Sequence, residues 1–374
     1  MKYEMVDLKG QYKKIKAEID QAIVACVEST DYINGAHVSL FSDNLSKYIG
    51  VKHVIPCANG TDALQISLMA LGLNPGDEVI VPAFTYVATA EVIALLNLVP
   101  VMVDVMPDDF SINLEQVKKA ITKKTKAIVP VHLFGQCAGM EELLDIAKSY
   151  NIFIIEDTAQ AIGSKYTFNN GLIKYAGTIG DIGTTSFFPS KNLGCYGDGG
   201  AIFTNNDELA IRLKMISNHG QSKKYKHDII GVNSRLDTIQ AVILDIKLKY
   251  LNEYTNARNQ VADYYDRHLG ELKDVIIPFR VSNSTHVYHQ YTLKVKNGKR
   301  DHLKFFLQEM GISTMIYYPY PLHFQKAYQS LRFPAGSLPV SEKLCEEVLS
   351  LPIHTEMTND MQSYIVNAIK EFFK

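Results

Sequence analysis

Little in this sequence ties it to a disulfide framework, a metal or a membrane. Its five cysteines, Cys26, Cys57, Cys137, Cys195 and Cys345, are scattered, odd in number and form no CxxC pair. That argues against a disulfide scaffold or a zinc knuckle, and predicts a reducing, cytoplasmic setting. No apolar run reaches the roughly 20 residues of a spanning helix. The most apolar stretch, Val92 to Val105, is interrupted by Asn97 and Pro100. The opening MKYEMVDLKGQYKKIKAEID is too polar for a signal peptide. Neither charge sign is in excess: 38 Lys plus Arg face 40 Asp plus Glu, a net charge of -2. No overall basicity therefore drives binding to nucleic acid or an anionic membrane. No Pro/Gly/Ser-rich linker or repeat divides the chain.

What is present points to an α/β protein. A length of 374 residues suggests two or three domains. Seven apolar runs read as buried strands: 53–59, 78–83, 99–105, 126–134, 151–157, 184–188 and 201–205. Helical patterns such as 61–72 and 140–151 lie between them. Val/Ile-rich strands alternating with helices predict a mostly parallel sheet covered on both faces. The texture changes after about residue 235. The stretch 236–269 reads as one long helix or two joined by a bend. Strand-like 289–296, helical 300–311, strand-like 312–318 and helical 341–351 then suggest a smaller α+β unit. The expected division is a large α/β domain over 1–245 and a small domain over 246–374.

Ligands of open α/β sheets bind beyond the carboxyl ends of the strands. Four such ends carry suggestive residues. Asn59-Gly60-Thr61-Asp62 opens a helix and offers free N–H groups for a phosphate, or is a turn with a Thr or Asp cap. Asp157 ends the strand IFIIED and can face a cation or a protonated ring nitrogen; it equally suits a helix cap or a structural ion pair. Lys191, after SFFPS and before Gly197-Asp198-Gly199-Gly200, can be an activated amine or a surface lysine. Tyr86, in Phe84-Thr85-Tyr86, can stack on a flat ring or pack in a core. Phosphate cradle, stacking ring, carboxylate and lysine together are what pyridoxal 5′-phosphate requires.

The order of these motifs resembles the DegT/DnrJ/StrS sugar-nucleotide aminotransferases, of the fold type I pyridoxal-phosphate architecture. The likeness runs from DLKGQY to SLPIHTE. It is carried by ANGTDAL, FTYVATAE, IEDTAQAIG, SFFPSKNLGCYGDGGAIFTN, NSRLDTIQAVIL and Tyr318-Pro319. The resemblance implies that Lys191 holds the cofactor covalently and moves protons, and that Asp157 faces the pyridine nitrogen. It implies that Gln160, one helical turn on, lies near the phenolic oxygen, and that Tyr86 stacks on the ring. Gly60, Thr61 and Ser186 match phosphate-binding positions. Asn233 matches a residue reaching the phosphate from a neighbouring subunit, implying a homodimer with shared sites. The implied partners are L-glutamate or 2-oxoglutarate and a nucleotide-linked ketosugar.

Related sugar dehydratases carry histidine where this chain has Lys191. A non-catalytic regulatory relative is harder to reconcile with Asp157, Ser186 and Lys191 all present. A nicotinamide dehydrogenase would need GxGxxG after an early strand, and none occurs. CANGTDALQ and HGQSKKYKHDIIGVNSRLDTIQ look most like the subgroup aminating C3 of UDP-2-acetamido-2-deoxy-3-oxo-glucuronate in bacterial O-antigen synthesis. C3 or C4 of a keto-6-deoxy sugar is the other expectation. Arg235 is the candidate for the uronate carboxylate. Tyr317, Tyr318 and His323 are candidates for the sugar pocket, although Tyr317 stands where relatives often have histidine. Lys223, Lys224 and Lys226 could attract a diphosphate or be a solvated charge run.

Overall fold

The computed structural model describes residues 2–331 and 333–374. Two helices, α1 (Leu8–Ser29) and α2 (Ala36–Ile49), lead the chain. Strands and helices then alternate: β1 (His53–Cys57), α3 (Gly60–Leu71), β2 (Glu78–Pro82), α4 (Ala88–Leu95), β3 (Val99–Val103), α5 (Leu114–Ala120), β4 (Thr125–Ile128), α6 (Met140–Tyr150) and β5 (Phe153–Asp157). A small hairpin, β6 (Lys165–Thr167) and β7 (Ile173–Tyr175), precedes β8 (Ile182–Ser186), β9 (Gly200–Thr204) and α7 (Asp207–Ser217).

All seven expected strands join one sheet, in the order β1-β9-β8-β5-β4-β2-β3. Helices cover both faces, which is why β2 carries Val79, Ile80 and Val81 in succession, all fully buried. The one exception to parallel pairing is β9, antiparallel to both β1 and β8. Since β9 reverses twice, β1 points the same way as β8 and the rest. Six strands thus end on one edge of the sheet, and β9 starts there. Gly200 pairs with Cys57 on one side and Ser186 on the other.

The rest comprises a hairpin, β10 (Gln221–Lys223) and β11 (Lys226–His227), then α8 (Thr238–Lys249), α9 (Leu251–Leu269), β12 (Val275–Ile276), β13 (Tyr291–Val295), α10 (Arg300–Glu309), α11 (Pro339–Glu347), β14 (Val348–Leu351) and α12 (Asn359–Phe372). The stretch 236–269 is therefore two helices meeting at Tyr250. Residue 245, the expected limit of the first domain, lies inside α8. Val261, Tyr265, Leu293, Leu303, Leu349 and Ile365 share a core in which α9, α10 and α12 pack on β12-β13-β14.

Two expectations here need correction. Residues 312–318 form no strand: Ile312 and Met315 make only single bridges, to Tyr3 and Ser350. The edge of β13 they would have filled is taken by Val348–Leu351, read in the sequence as the end of a helix. The helix stops at Glu347, and all four residues of β14 are buried. A short apolar run of this length carries no period that separates strand from helix.

Candidate active site

The site gathers at the sheet edge where the six strands end. The N-cap of α3 is Asn59, neither Thr61 nor Asp62: its side-chain oxygen accepts from Asp62 N–H at 2.8 Å. Ala63 N–H donates to Asn59 O. The amides of Gly60 and Thr61 then have no acceptor among the described residues, at the positive end of a 12-residue helix. Register brings Ser186 against them. A Cβ built on Gly60 would fall 2.7 Å from Cβ of Ser186, so only glycine leaves this cradle open.

Asp157 ends β5, two residues short of the Ser186 level, since it pairs with Thr184. Its carboxylate is held twice. Thr89 Oγ1 donates to Oδ2 at 3.0 Å, and Ala159 N–H donates to Oδ1 at 3.1 Å. It caps no helix, because the residues after it form turns; Gln160 therefore sits on a turn and not on a helix. The neighbouring Glu156 points to the opposite face of the sheet, as strand alternation requires. There it accepts from the amides of Gly177, Ile179 and Gly180 at 2.7–2.9 Å and from His132 Nε2 at 2.9 Å. His132 Nδ1 accepts from Ala138 N–H, which places the ring proton on Nε2.

Gln160 is fixed at both ends: its Oε1 accepts from Phe134 N–H at 2.8 Å, and its Nε2 donates to Tyr318 Oη at 3.1 Å. Burial pushes the Tyr318 phenol above its ordinary value, so it stays protonated. Tyr86 is 59% exposed and leans toward Tyr318, with ring centroids 6.5 Å apart. Tyr317 follows at 6.1 Å from Tyr318.

Lys191 lies on the turn between β8 and β9, where its N–H donates to Phe188 O at 2.8 Å. Its ammonium makes no ion pair among the described residues. Desolvation by the surrounding protein pushes it from 10.5 down to about 8, against the opposing pull of Asp157. That is the direction a nucleophilic or proton-transferring amine requires.

Three predicted residues stand apart from this group. Asn233 is exposed, and Asp237, not Asn233, precedes α8 as its cap residue. Between Asn233 and Arg235, Ser234 is buried and its Oγ accepts from Ala58 N–H at 3.1 Å. Its neighbours differ in burial: Asn233 is exposed and Arg235 half-buried. Arg235 lies 3.7 Å from the Asp237 carboxylate and lines a cleft of about 380 Å³ with Asn34, Lys214 and Asn218. The ring of His323 is closed off by Phe324 and Phe333, with Nε2 3.2 Å from Glu342 and no exposed side-chain surface. As a wall of an open sugar pocket it is thus misplaced in this protomer. The lysine run lies on the β10–β11 hairpin, exposed, with Lys226 3.3 Å from Asp228. Thr89 and the Phe134 amide were not anticipated. The motif FTYVATAE contains Thr89, but nothing in its spacing shows that it meets Asp157.

The cradle, the twice-held carboxylate and the desolvated lysine together fit pyridoxal 5′-phosphate: free amides suit its phosphate, Asp157 its ring nitrogen and Lys191 its aldehyde. The chain matches the DegT/DnrJ/EryC1/StrS aminotransferase family over residues 13–370. A pleiotropic regulatory protein of Geobacillus stearothermophilus is 46% identical over 376 residues, 100% of this chain and 99% of the relative. UDP-2-acetamido-2-deoxy-3-oxo-D-glucuronate aminotransferase of Pseudomonas aeruginosa is 46% identical over 351 residues, 94% of this chain and 95% of the relative. The crystal structure of DesV from S. venezuelae, in complex with a ketimine intermediate, superposes with a TM-score of 0.95 at 37% identity, covering 100% of this chain and 99% of that one. Further solved relatives carry the cofactor in its PMP and PLP forms. The chain therefore belongs to the DegT/DnrJ/EryC1/StrS aminotransferase family, as a sugar-nucleotide aminotransferase that works with pyridoxal 5′-phosphate.

Proposed function

We propose that this aminotransferase moves the amino group of L-glutamate to C3 of UDP-2-acetamido-2-deoxy-3-oxo-D-glucuronate, for a bacterial surface polysaccharide such as O-antigen. The observation that carries the reading is Arg235, two residues from Asn233 and lining an open cleft beside β1, in a chain 46% identical to an enzyme of that name. A guanidinium can take the C6 carboxylate through two parallel hydrogen bonds, which a 6-deoxy sugar cannot offer. The regulator-named relative is equally similar, but the desolvated Lys191 and the twice-held Asp157 support the catalytic reading.

The active unit in this reading is a cytoplasmic homodimer. Tyr86 and Phe188 beside the site are 59% and 52% exposed in the single chain, a large apolar surface to leave in water. The side chain of Asn233 makes no hydrogen bond within its own chain among the described residues, so it is free to complete the partner's phosphate cradle.

The residues divide the work as follows. The amides of Gly60 and Thr61 and the hydroxyl of Ser186 would hold the phosphate. Tyr86 would cover the ring, Gln160 would face its phenolic oxygen, and Asp157 would keep a proton on its nitrogen. Bound there, pyridoxal 5′-phosphate supplies an electron sink for the carbanion of the amino donor. The Lys191 amine takes the α proton of glutamate in the first half-reaction and delivers a proton to sugar C3 in the second. Tyr317 and Tyr318 line the sugar side.

The test is a panel of reverse reactions with 2-oxoglutarate: a UDP-linked 3-amino uronate, a UDP-linked 4-amino-6-deoxy sugar and a dTDP-linked 3-amino-6-deoxy sugar. The uronate should turn over fastest, and Arg235→Lys should lose that preference. Preference for either 6-deoxy sugar rules out the uronate reading and leaves the family assignment standing.

A further inference from the structure

Arg258, on α9, is a buried cation without a counter-charge: it is 5% exposed and makes no ion pair among the described residues. Burying a guanidinium in this way is costly unless its hydrogen bonds are met. Here one nitrogen, Nη1, donates to three main-chain carbonyls: Tyr288 at 3.0 Å, His289 at 3.4 Å and Ile353 at 2.9 Å. Two of them belong to residues 286–290, which lie outside any helix or strand and include Tyr288 at φ 44°. Asn259, the next residue of α9, donates to His286 O at 3.1 Å.

The other side of this short strap touches the active site at two points. Asn192, adjacent to Lys191 and 4% exposed, donates from Nδ2 to Val287 O at 2.8 Å. Val287 N–H donates to Gly135 O at 2.8 Å, and Gln290 N–H to Phe134 O at 3.4 Å. Phe134 N–H in turn holds Gln160. The contact leaves no room: a Cβ built on Gly135 would fall 2.8 Å from Tyr288 N. The strap therefore joins the residue beside Lys191 to the backbone that anchors Gln160, and its carbonyls at His286, Tyr288 and His289 are held from α9.

We propose that Arg258 is a positioning residue for transamination: by fixing the 286–290 strap it sets, through Asn192, where the Lys191 amine stands relative to Gln160. The proposal rests on Lys191 being the reactive amine and is independent of the sugar. Lysine in place of Arg258 keeps the charge, but its shorter stem lacks the planar group that places Nη1 among these three carbonyls. The loosened strap then admits water to Lys191 and relieves its desolvation.

The test uses the full chain freed of cofactor, with trace acetic anhydride across a pH series and Lys191 acetylation read by mass spectrometry. Wild type should show a midpoint near 8. Arg258→Lys and Asn192→Ala should each raise it by about one unit, which slows labelling about tenfold at pH 7. The double variant should go no further than the larger single change, because both act through one strap. Tyr265→Phe, which removes a hydrogen bond to Pro352 O at 3.0 Å in the same core, should not move it. In the loaded enzyme, Arg258→Lys should lower kcat and leave the KM for glutamate unchanged. A folded Arg258→Lys chain with the wild-type midpoint overturns the proposal, as does an equal shift in Tyr265→Phe or additive shifts in the double variant. If Arg258→Lys does not fold, Asn192→Ala decides: a raised midpoint supports the proposal and an unchanged one overturns it. An ordinary lysine midpoint in wild type would instead count against Lys191 as the reactive amine.

Discussion

The hydroxyl of Thr89 donates to Oδ2 of Asp157 at 3.0 Å, tying the first turns of α4 to the end of β5. With Ala159 N–H on the other oxygen, the carboxylate has one fixed orientation. Asp157→Asn should keep the cofactor but lose at least about 10²-fold in turnover, the lower range for a positioned proton-handling group. Thr89→Val, near in volume, should cost about tenfold, since a hydrogen bond to a charged group contributes roughly 1.5–3 kcal/mol. Steady-state kcat measures both; a fall of less than a few-fold in Asp157→Asn assigns the ring nitrogen to another residue.

Lys191→Met should abolish transamination and leave a folded protein. It should also change stability with a definite sign. A lysine whose folded value is near 8 against an ordinary 10.5 binds fewer protons in the native state between those limits. Stability of the cofactor-free wild type therefore rises with pH from about 8 to 10.5, by a few kcal/mol at most for a group at the edge of a site. Lys247, buried and also near 8, adds a rise over the same window. Urea midpoints across that range should climb less in Lys191→Met than in wild type.

Gly60→Ala should weaken cofactor capture without unfolding the chain. Its added methyl meets Ser186 Cβ at 2.7 Å and occupies the space in front of two free amides. An increase of about tenfold or more in the cofactor Kd, by absorbance titration, is expected. Gly50→Ala, at φ 68° with no atom nearby, should lower stability instead and leave cofactor affinity alone.

Asn233 gives a test of shared sites. Chains carrying Lys191→Ala and chains carrying Asn233→Ala should each be inactive or weak. Refolded together, they should regain activity, because some mixed dimers contain one site with both native residues. Recovery no greater than the two parents predict would place Asn233 in its own protomer's chemistry or outside it.

Most strands of the main sheet were legible as short apolar runs closed by a turn or helix, and strand ends then marked Gly60 and Asp157; β8, with Gly183, Thr184 and Thr185, was expected two residues late, over 184–188. Less was visible where geometry depends on partners distant in sequence. The reversal of β9 is fixed by its pairing with both β1 and β8, and no local pattern states it. Val348–Leu351 becomes a strand because β13 has a free edge to fill. The placement of Arg235 beside β1 depends on Ser234 reaching Ala58, more than 170 residues away. His323 looked like a pocket residue by motif alone; its Glu342 partner and two phenylalanines enclose it.

The back-to-back placement of Glu156 and Asp157 has a consequence for how this chain can vary. The two carboxylates are adjacent in sequence but serve different interiors: one fills a closed basket of amides, the other faces the cofactor side. A single inserted or deleted residue between Phe153 and Asp157 would exchange them. The amide basket would lose its anion, and the reacting face would receive a carboxylate without Thr89 to orient it. Length changes should therefore be excluded from this five-residue stretch, yet tolerated in the exposed turn 168–172 between β6 and β7.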